Sequence, residues 1–283
     1  GLRIFRHLDW GNLARIVLLD TRHFGRDQQI DYRRTLTPAL AQGGREARAV
    51  IDEFRRTILD DPARTMLGAT QEQWLMSTLA ESKARGQRWQ VIAQQVVMAP
   101  QNAPAEISQL LPSGTSSNTR RWFTAGEEAA ARGLPWNLDT WSGYPAARRR
   151  LLEACKHHGT NAMILSGDSH NCWANQLELD GERVALEFAG GSVTSPGLER
   201  PLTNALPGER EAMMRLANPH LAWCDVTRRG YGKLGPACGP VVHHAPLIYG
   251  ADRYHTRYAR GAHNSFAHHG VRRTPDEREP PVI

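Results

Sequence analysis

Asp168, Ser169 and His170 stand together in LSGDSHN, directly behind the apolar run AMIL. The carboxylate offers a hard oxygen and the imidazole, two residues on, a borderline nitrogen. Such a pair can hold iron, manganese or zinc and, through the carboxylate, calcium. Gly167 lets the backbone turn closely ahead of them. A plain turn explains the same residues, with Asp and Ser satisfying backbone groups and His half exposed, and the pattern alone is too short to decide. Asp20 and Arg22 close the run LARIVLLDTR. Arg22 could grip a phosphate oxygen in a bidentate pair, and a structural contact with Asp20 accounts for it equally well. In WNLDTWSGY, Asp139 and Tyr144 could wall a pocket, or Asp139 could simply organise its loop; Trp136 and Trp141 read as packing residues, and Asn171 as the residue that fixes the turn after His170. GGSVTSPG holds Ser192 and Ser195 but no GxSxG elbow and no identifiable base, so it reads as a tight strand exit. His157 and His158 suit the C-terminal end of a helix.

The elements that must position these groups are strands, because α/β folds bind ligands where strand carboxyl ends release the chain into loops. LARIVLLD (13–20) reads as a buried strand, the apolar run that opens NAMILSGDSHN as another ending against Asp168, and RWQVIAQQVVMAP (88–100) as a third stopped by Pro100. QLELDGER pairs with VALEFA as a hairpin through Asp180 and Gly181. Three helices are predicted. The first falls within 41–60 and ends before Pro62. The second opens on a Thr70/Gln73 capping box and runs to about Ala84. The third spans 145–159, with Ala147, Leu151, Leu152 and Cys155 on one stripe and Gly159 as its stop. Residues 101–144 read as a long irregular excursion over the surface. The alternation of strand and helix defines an α/β layered fold with antiparallel character late in the chain.

At 283 residues the chain allows one large domain or two modest ones. Its 40% apolar and 23% charged content is ordinary for a soluble protein, and no segment approaches the ~18 apolar residues of a membrane span. The net charge of +6 comes almost wholly from arginines scattered among acids, as in EFRRTILDDPARTM, which disfavours a nucleic-acid-binding face. Cys155, Cys172, Cys224 and Cys238 form no CxxC pair, so neither a zinc knuckle nor a disulfide scaffold is indicated. Residue 1 is Gly and no signal-like run follows, so the chain is expected to begin inside a larger protein. Residues 233–283 carry six of the twelve histidines without helical or alternating periodicity and fit no helix-borne metal pair. They read as an irregular or disordered tail, or as a slipped reading frame, behind a domain of residues 1–232.

Five ordered segments, LDTRHFGRD, TMLGATQEQWL, WNLDTWSGYPAARRRLL, LSGDSHN and FAGGSVTSPGLE, resemble the alkaline phosphatase D (PhoD-like) family of the metallophosphoesterase superfamily over roughly residues 3–232. The resemblance implies the C-terminal half of a β-sandwich flanked by helices, and metal-dependent hydrolysis of phosphate esters. It places the closing metal motif, GDxH in place of GHxH, on Asp168 and His170, and implies calcium and iron as the ions. Arg22 and Asp139 become candidate catalytic residues beside them, and export to the periplasm or exterior is expected. The superfamily's earlier ligands would precede LDTR, and Gln94 and Gln95 stand where many members present a ligand His, so the chain as given is expected to lack a complete metal centre. A catalytically inactive scaffold is the first alternative and a basic nucleic-acid-binding module the second; otherwise nucleic acid enters only as a phosphodiester substrate.

Overall fold

Alternation along the strands sorts side chains onto two faces of one sheet. A computed structural model describes residues 3–41, 47–230 and 232, with the short strands Val241–Val242 and Asn264–Ser265. The strands are β1 (Arg6–Trp10), β2 (Ala14–Leu18), β3 (Trp89–Ala93), β4 (Ala162–Ser166), β5 (Cys172–Leu179), β6 (Glu182–Ala189) and β7 (Leu221–Asp225). They form a seven-stranded sheet in the order β1-β2-β3-β4-β6-β5-β7. β2, β3, β4 and β6 run parallel, while β1 and β5 are antiparallel to their neighbours. β7 is antiparallel to β5, so it points the same way as β6. Five strands therefore deliver their carboxyl ends to a single edge. The two-residue strands β8 (Val241–Val242) and β9 (Asn264–Ser265) pair separately.

The helices are α1 (Tyr32–Thr35), α2 (Thr37–Ala41), α3 (Ala47–Phe54), α4 (Gly68–Ala84), α5 (Ser117–Ala131), α6 (Pro145–His157) and α7 (Pro207–Ala217). α4 buries Gln71, Leu75, Thr78, Leu79 and Ser82, a stripe at helical spacing. α6 buries Ala147, Leu151, Leu152 and Cys155. These stripes meet Val17, Ile92, Ile164 and Leu177 of the sheet in the main core. Each such aliphatic side chain contributes about 1.5–3 kcal/mol on burial. On the opposite face, Met163, Ala174, Leu186 and Phe188 form a smaller cluster, edged by the partly buried Trp89, Leu165 and Trp223.

A carboxylate lies on the helix-covered face. Glu187 of β6 is 0% exposed and accepts from the Met98 and Ala99 amides at 2.5 and 2.8 Å, from Asn175 Nδ2 at 3.0 Å and from the Ser166 hydroxyl. Burial pushes its pKa above the ordinary carboxylate range against the pull of those four donors. The side chain thus joins β4, β5 and β6 to the segment that follows β3.

The layered α/β architecture agrees with the sequence expectation, and the described residues contribute one principal sheet to it. The hairpin forms at Asp180 and Gly181, both with positive φ (52° and 80°), which a type I′ turn requires. Helix α6 ends at the expected place, with Gly159 at φ 58°. The expected capping box at Thr70 does not form. Helix α4 begins at Gly68 with no side-chain cap on Leu67, because the Thr65 hydroxyl already accepts from the amides of Leu67 and Gly68 at 3.2 and 2.8 Å. Strand β3 ends at Ala93 rather than near Pro100, since the Gln94 side chain bonds its own backbone neighbourhood at Val96 and turns the chain out of the sheet. The predicted excursion over 101–144 contains the 15-residue helix α5, whose inward face of Phe123, Gly126 and Ala129 carries one large apolar residue and so leaves little periodicity to read. Within 41–60, α3 is followed by a π-helical turn, Arg55–Leu59, and residues 42–46 lie outside the described ones. β1, α7 and β7 were not foreseen. The expectation for the tail, 233–283, lies outside the described residues apart from β8 and β9.

Candidate active site at the carboxyl edge of the sheet

The edge collects the segments that follow β2, β3, β4 and β6. After β4 the chain enters Gly167–Asn171 with Asp168 at φ 52° and His170 at φ 62°, both left-handed and neither a glycine. Asp and His tolerate that region better than most residues, yet each such conformation costs about 1 kcal/mol or more. Local bonds over-determine it. Asn171 Nδ2 donates to the Ser169 carbonyl at 3.0 Å, the Ser169 hydroxyl donates to the Asn171 carbonyl at 2.7 Å, and Trp173 Nε1 donates to the Ser169 hydroxyl at 2.9 Å. Asn171 Oδ1 also accepts from the Leu198 amide at 3.1 Å, which joins the turn to the loop after β6. Gly197 in that loop passes so close that a Cβ would lie 2.4 Å from Asn171 Oδ1.

The two predicted metal-ligating side chains are thereby held differently. His170 Nδ1 lies 2.9 Å from the Pro196 carbonyl. A carbonyl can only accept, so Nδ1 is the donor of this bond, and in the neutral ring Nε2 is then the nitrogen with a lone pair for a ligand. Asp168 is half exposed and its carboxylate pairs with Arg22 Nη2. Arg22 Nη1 reaches both carboxylate oxygens of Asp139, at 2.8 and 2.9 Å. Burial works against the charge on Arg22, but Asp139 and Asp168 outweigh it and raise its pKa. Thus Arg22, Asp139 and Asp168, far apart in sequence, are brought into one cluster, with His170 on the same turn as Asp168.

Asp20 stands behind this cluster. Its carboxylate accepts from the amides of Arg22 and His23 at 2.9 and 2.8 Å, while the Arg22 guanidinium turns away from it to Asp139 and Asp168. Arg26 and Gln71 are positioning residues with no local sequence signal, and Gln95, which stands where a ligand His is common, is a third. Arg26 donates to Asp139 Oδ1 at 2.6 Å and to Tyr144 Oη at 3.0 Å. Gln71 of α4 exchanges bonds with the backbone of Asp20, at 2.8 and 2.9 Å. Gln95 accepts from the Thr21 amide and hydroxyl at 2.7 and 2.6 Å and donates to the Leu19 carbonyl at 2.8 Å. Gln94 accepts from Trp141 Nε1 at 3.1 Å and donates to Ser166 Oγ at 2.7 Å. Both glutamines therefore tie strand ends together. Trp141 is fully buried, and the Ser192 hydroxyl bonds the Ser195 carbonyl.

A cleft of about 740 Å³ opens beside the turn, lined by Asp168, Ser169 and His170 and, from α5 and the segment behind it, by Trp122, Phe123 and Trp136. The donor set fits a metal in part. An accessible carboxylate and a freed imidazole nitrogen are present, but among the described residues no three ligating side chains gather in one place.

Acid, imidazole and guanidinium thus meet at the carboxyl edge of a mixed α/β sheet, the place where open α/β folds bind ligands. The sequence model of the PhoD-like phosphatase family matches residues 1–238, and the chain belongs to that family. It is 33% identical over 202 residues to alkaline phosphatase D of Bacillus subtilis (strain 168), covering 69% of this chain and 27% of that protein. A solved structure of PhoD matches with a TM-score of 0.53 at 27% identity, covering 82% of this chain and 36% of that one. The chain thus spans about a quarter of the first relative's length and about a third of the second's. Among the described residues, no helix is long and apolar enough to cross a membrane.

Proposed function

We propose that this chain forms part of a metal-dependent phosphoester hydrolase of the PhoD-like type, with Asp168 and His170 among its metal ligands. The observation that carries this is the His170 Nδ1 bond to the Pro196 carbonyl, which turns Nε2 into the ligating nitrogen of the neutral ring, on the same turn and in the same cleft as the accessible Asp168 carboxylate. Two ligands are fewer than such a centre needs, and among the described residues no third gathers with them. When bound, the ions supply an activated water and neutralise charge on the phosphoryl and leaving oxygens. The hard Asp168 oxygen suits calcium or iron, the ions implied by the family resemblance.

This chain's own residues do the positioning. Asp168, paired with Arg22 in this structure, would hold the cation in that partner's place. Arg22 stays anchored by Asp139 and turns its freed Nη2 toward a phosphoryl oxygen, a contact suited to the guanidinium fork. Asp139 acts through Arg22, and Arg26 holds Asp139 from behind. The substrate is a phosphate ester, and export from the cytoplasm follows the family pattern.

The test uses the full-length protein, charged with calcium and iron and assayed on a chromogenic phosphomonoester and phosphodiester with and without chelator. Chelator-sensitive hydrolysis that Asp168→Ala abolishes is expected. Absence of any chelator-sensitive hydrolysis overturns the reading and leaves an inactive scaffold. Strongly salt-dependent nucleic-acid affinity that survives Asp168→Ala with His170→Ala would instead support a binding module.

A further inference from the structure

The cleft beside Asp168 and His170 has a second chemistry that phosphate handling does not use. Trp122, on α5, is 46% exposed and lines this cleft, so part of its ring is open to a ligand. Its ring lies 4.3 Å from that of Trp136 with 32° between planes, and Phe123 meets Trp136 edge-on at 5.5 Å. The arrangement is built in place. Gly126 leaves the space that the Trp136 indole fills, since a Cβ there would come within 2.3 Å of Trp136 Nε1. The same Nε1 points to the Trp122 carbonyl at 3.4 Å, so backbone and missing side chain together hold the ring. Asp168, His170 and the exposed Arg200 supply the ionisable side chains of the cleft lining; the rest is aromatic, aliphatic, hydroxyl, amide or glycine.

We infer that Trp122 and Trp136 form the leaving-group subsite and select phosphate esters whose alcohol carries a flat aromatic or heteroaromatic ring. The inference rests on the phosphoester reading of Asp168 and His170, because it is their shared cleft that places a ring-bearing alcohol against the indoles while its phosphate meets the polar turn. A pre-formed aromatic surface loses little freedom on binding, so stacking appears as selectivity. Stacking of a base on an aromatic side chain typically corresponds to about tenfold or more in affinity. A flat ring shares that chemistry whether it is a nucleobase or an aryl group.

The experiment is calorimetric titration of the full-length, metal-loaded protein with benzylphosphonate, cyclohexylmethylphosphonate and methylphosphonate, none of which is hydrolysed. A nucleoside 5′-methylphosphonate arm separates nucleobase from simple aryl recognition. Benzylphosphonate or the nucleoside ligand should bind about tenfold tighter than the other two. Trp122→Ala should erase the difference and Trp122→Phe should restore most of it; Trp122 is surface-exposed, so both variants should fold. Equal binding of flat and puckered rings, a preference that survives Trp122→Ala, or no binding by any phosphonate overturns the inference. Chelator-sensitive hydrolysis measured on the same samples keeps the two readings apart. Hydrolysis without ring preference removes the subsite alone, whereas ring preference without hydrolysis keeps an aromatic-binding cleft and removes both the hydrolase and the leaving-group role.

Discussion

Glu187 and Asp168 belong to adjoining parts of one sheet and have opposite surroundings. Glu187 is wholly enclosed and receives four donors, two of them backbone amides that cannot leave. Asp168 is 50% exposed at its side chain and pairs with one side chain, the Arg22 guanidinium, which Asp139 also holds. A buried carboxylate surrounded by fixed donors costs several kcal/mol to disturb, whereas an exposed ion pair contributes about 0–1 kcal/mol. The difference separates architecture from chemistry. Glu187 is committed to holding strands together, and Asp168 can be surrendered to a cation at little cost to the fold.

The largest effect should therefore come from Glu187. Glu187→Ala strands the Met98 and Ala99 amides and the Asn175 side chain, and should lower unfolding free energy by about 3–5 kcal/mol in urea titrations. A loss below about 1 kcal/mol would break the contrast. pH sharpens it further. Because the folded pKa of Glu187 is raised above its ordinary 4.5, the folded state keeps a proton that the unfolded state has released. Stability should consequently fall as pH rises from about 4.5 toward the folded pKa, and Glu187→Gln should flatten that portion of the curve.

An intermediate effect belongs to Asp139, which stands between the two extremes. Its side chain is 30% exposed and takes bonds from both Arg22 and Arg26. Asp139→Asn should cost about 1–2 kcal/mol of stability, discounted for solvent screening, and, on the proposal that Arg22 holds a phosphoryl oxygen, should raise KM for a phosphate ester more than it lowers kcat. An unchanged KM would show that Arg22 is held by something other than Asp139.

Sequence reading reached these sites unequally for physical reasons. Asp168 and His170 were visible because they are two positions apart on one turn, so spacing alone carries their relation. Arg26 meets Asp139 across 113 residues, Gln95 meets Thr21 across 74 and Gln71 meets Asp20 across 51, and no local pattern encodes such closures. Among elements, α6 showed a full apolar stripe, while α5 did not, since Gly126 and Ala129 are small where it packs. The start of α4 was misplaced because a capping hydroxyl was sought at Thr70, and Thr65, reaching back from outside the helix, does that work. Glu187 meets the Met98 and Ala99 amides across 89 and 88 residues, another closure that no local pattern encodes.

The smallest effect on stability, and the most informative, is expected from Asp168→Asn. The substitution keeps the size and one oxygen of the side chain while removing its charge. Its single ion pair is exposed, so stability should shift by less than about 1 kcal/mol, and the turn should persist because Ser169 and Asn171, rather than Asp168, make the bonds that close it. Metal affinity depends on the charge that has been removed. Calorimetric titration of the full-length protein with calcium and iron should show it falling by at least tenfold, alongside an unaltered urea midpoint. A midpoint that drops as far as in Glu187→Ala would mean that Asp168 is as structural as Glu187. An unaltered metal affinity would mean that its exposure serves Arg22 and not a cation.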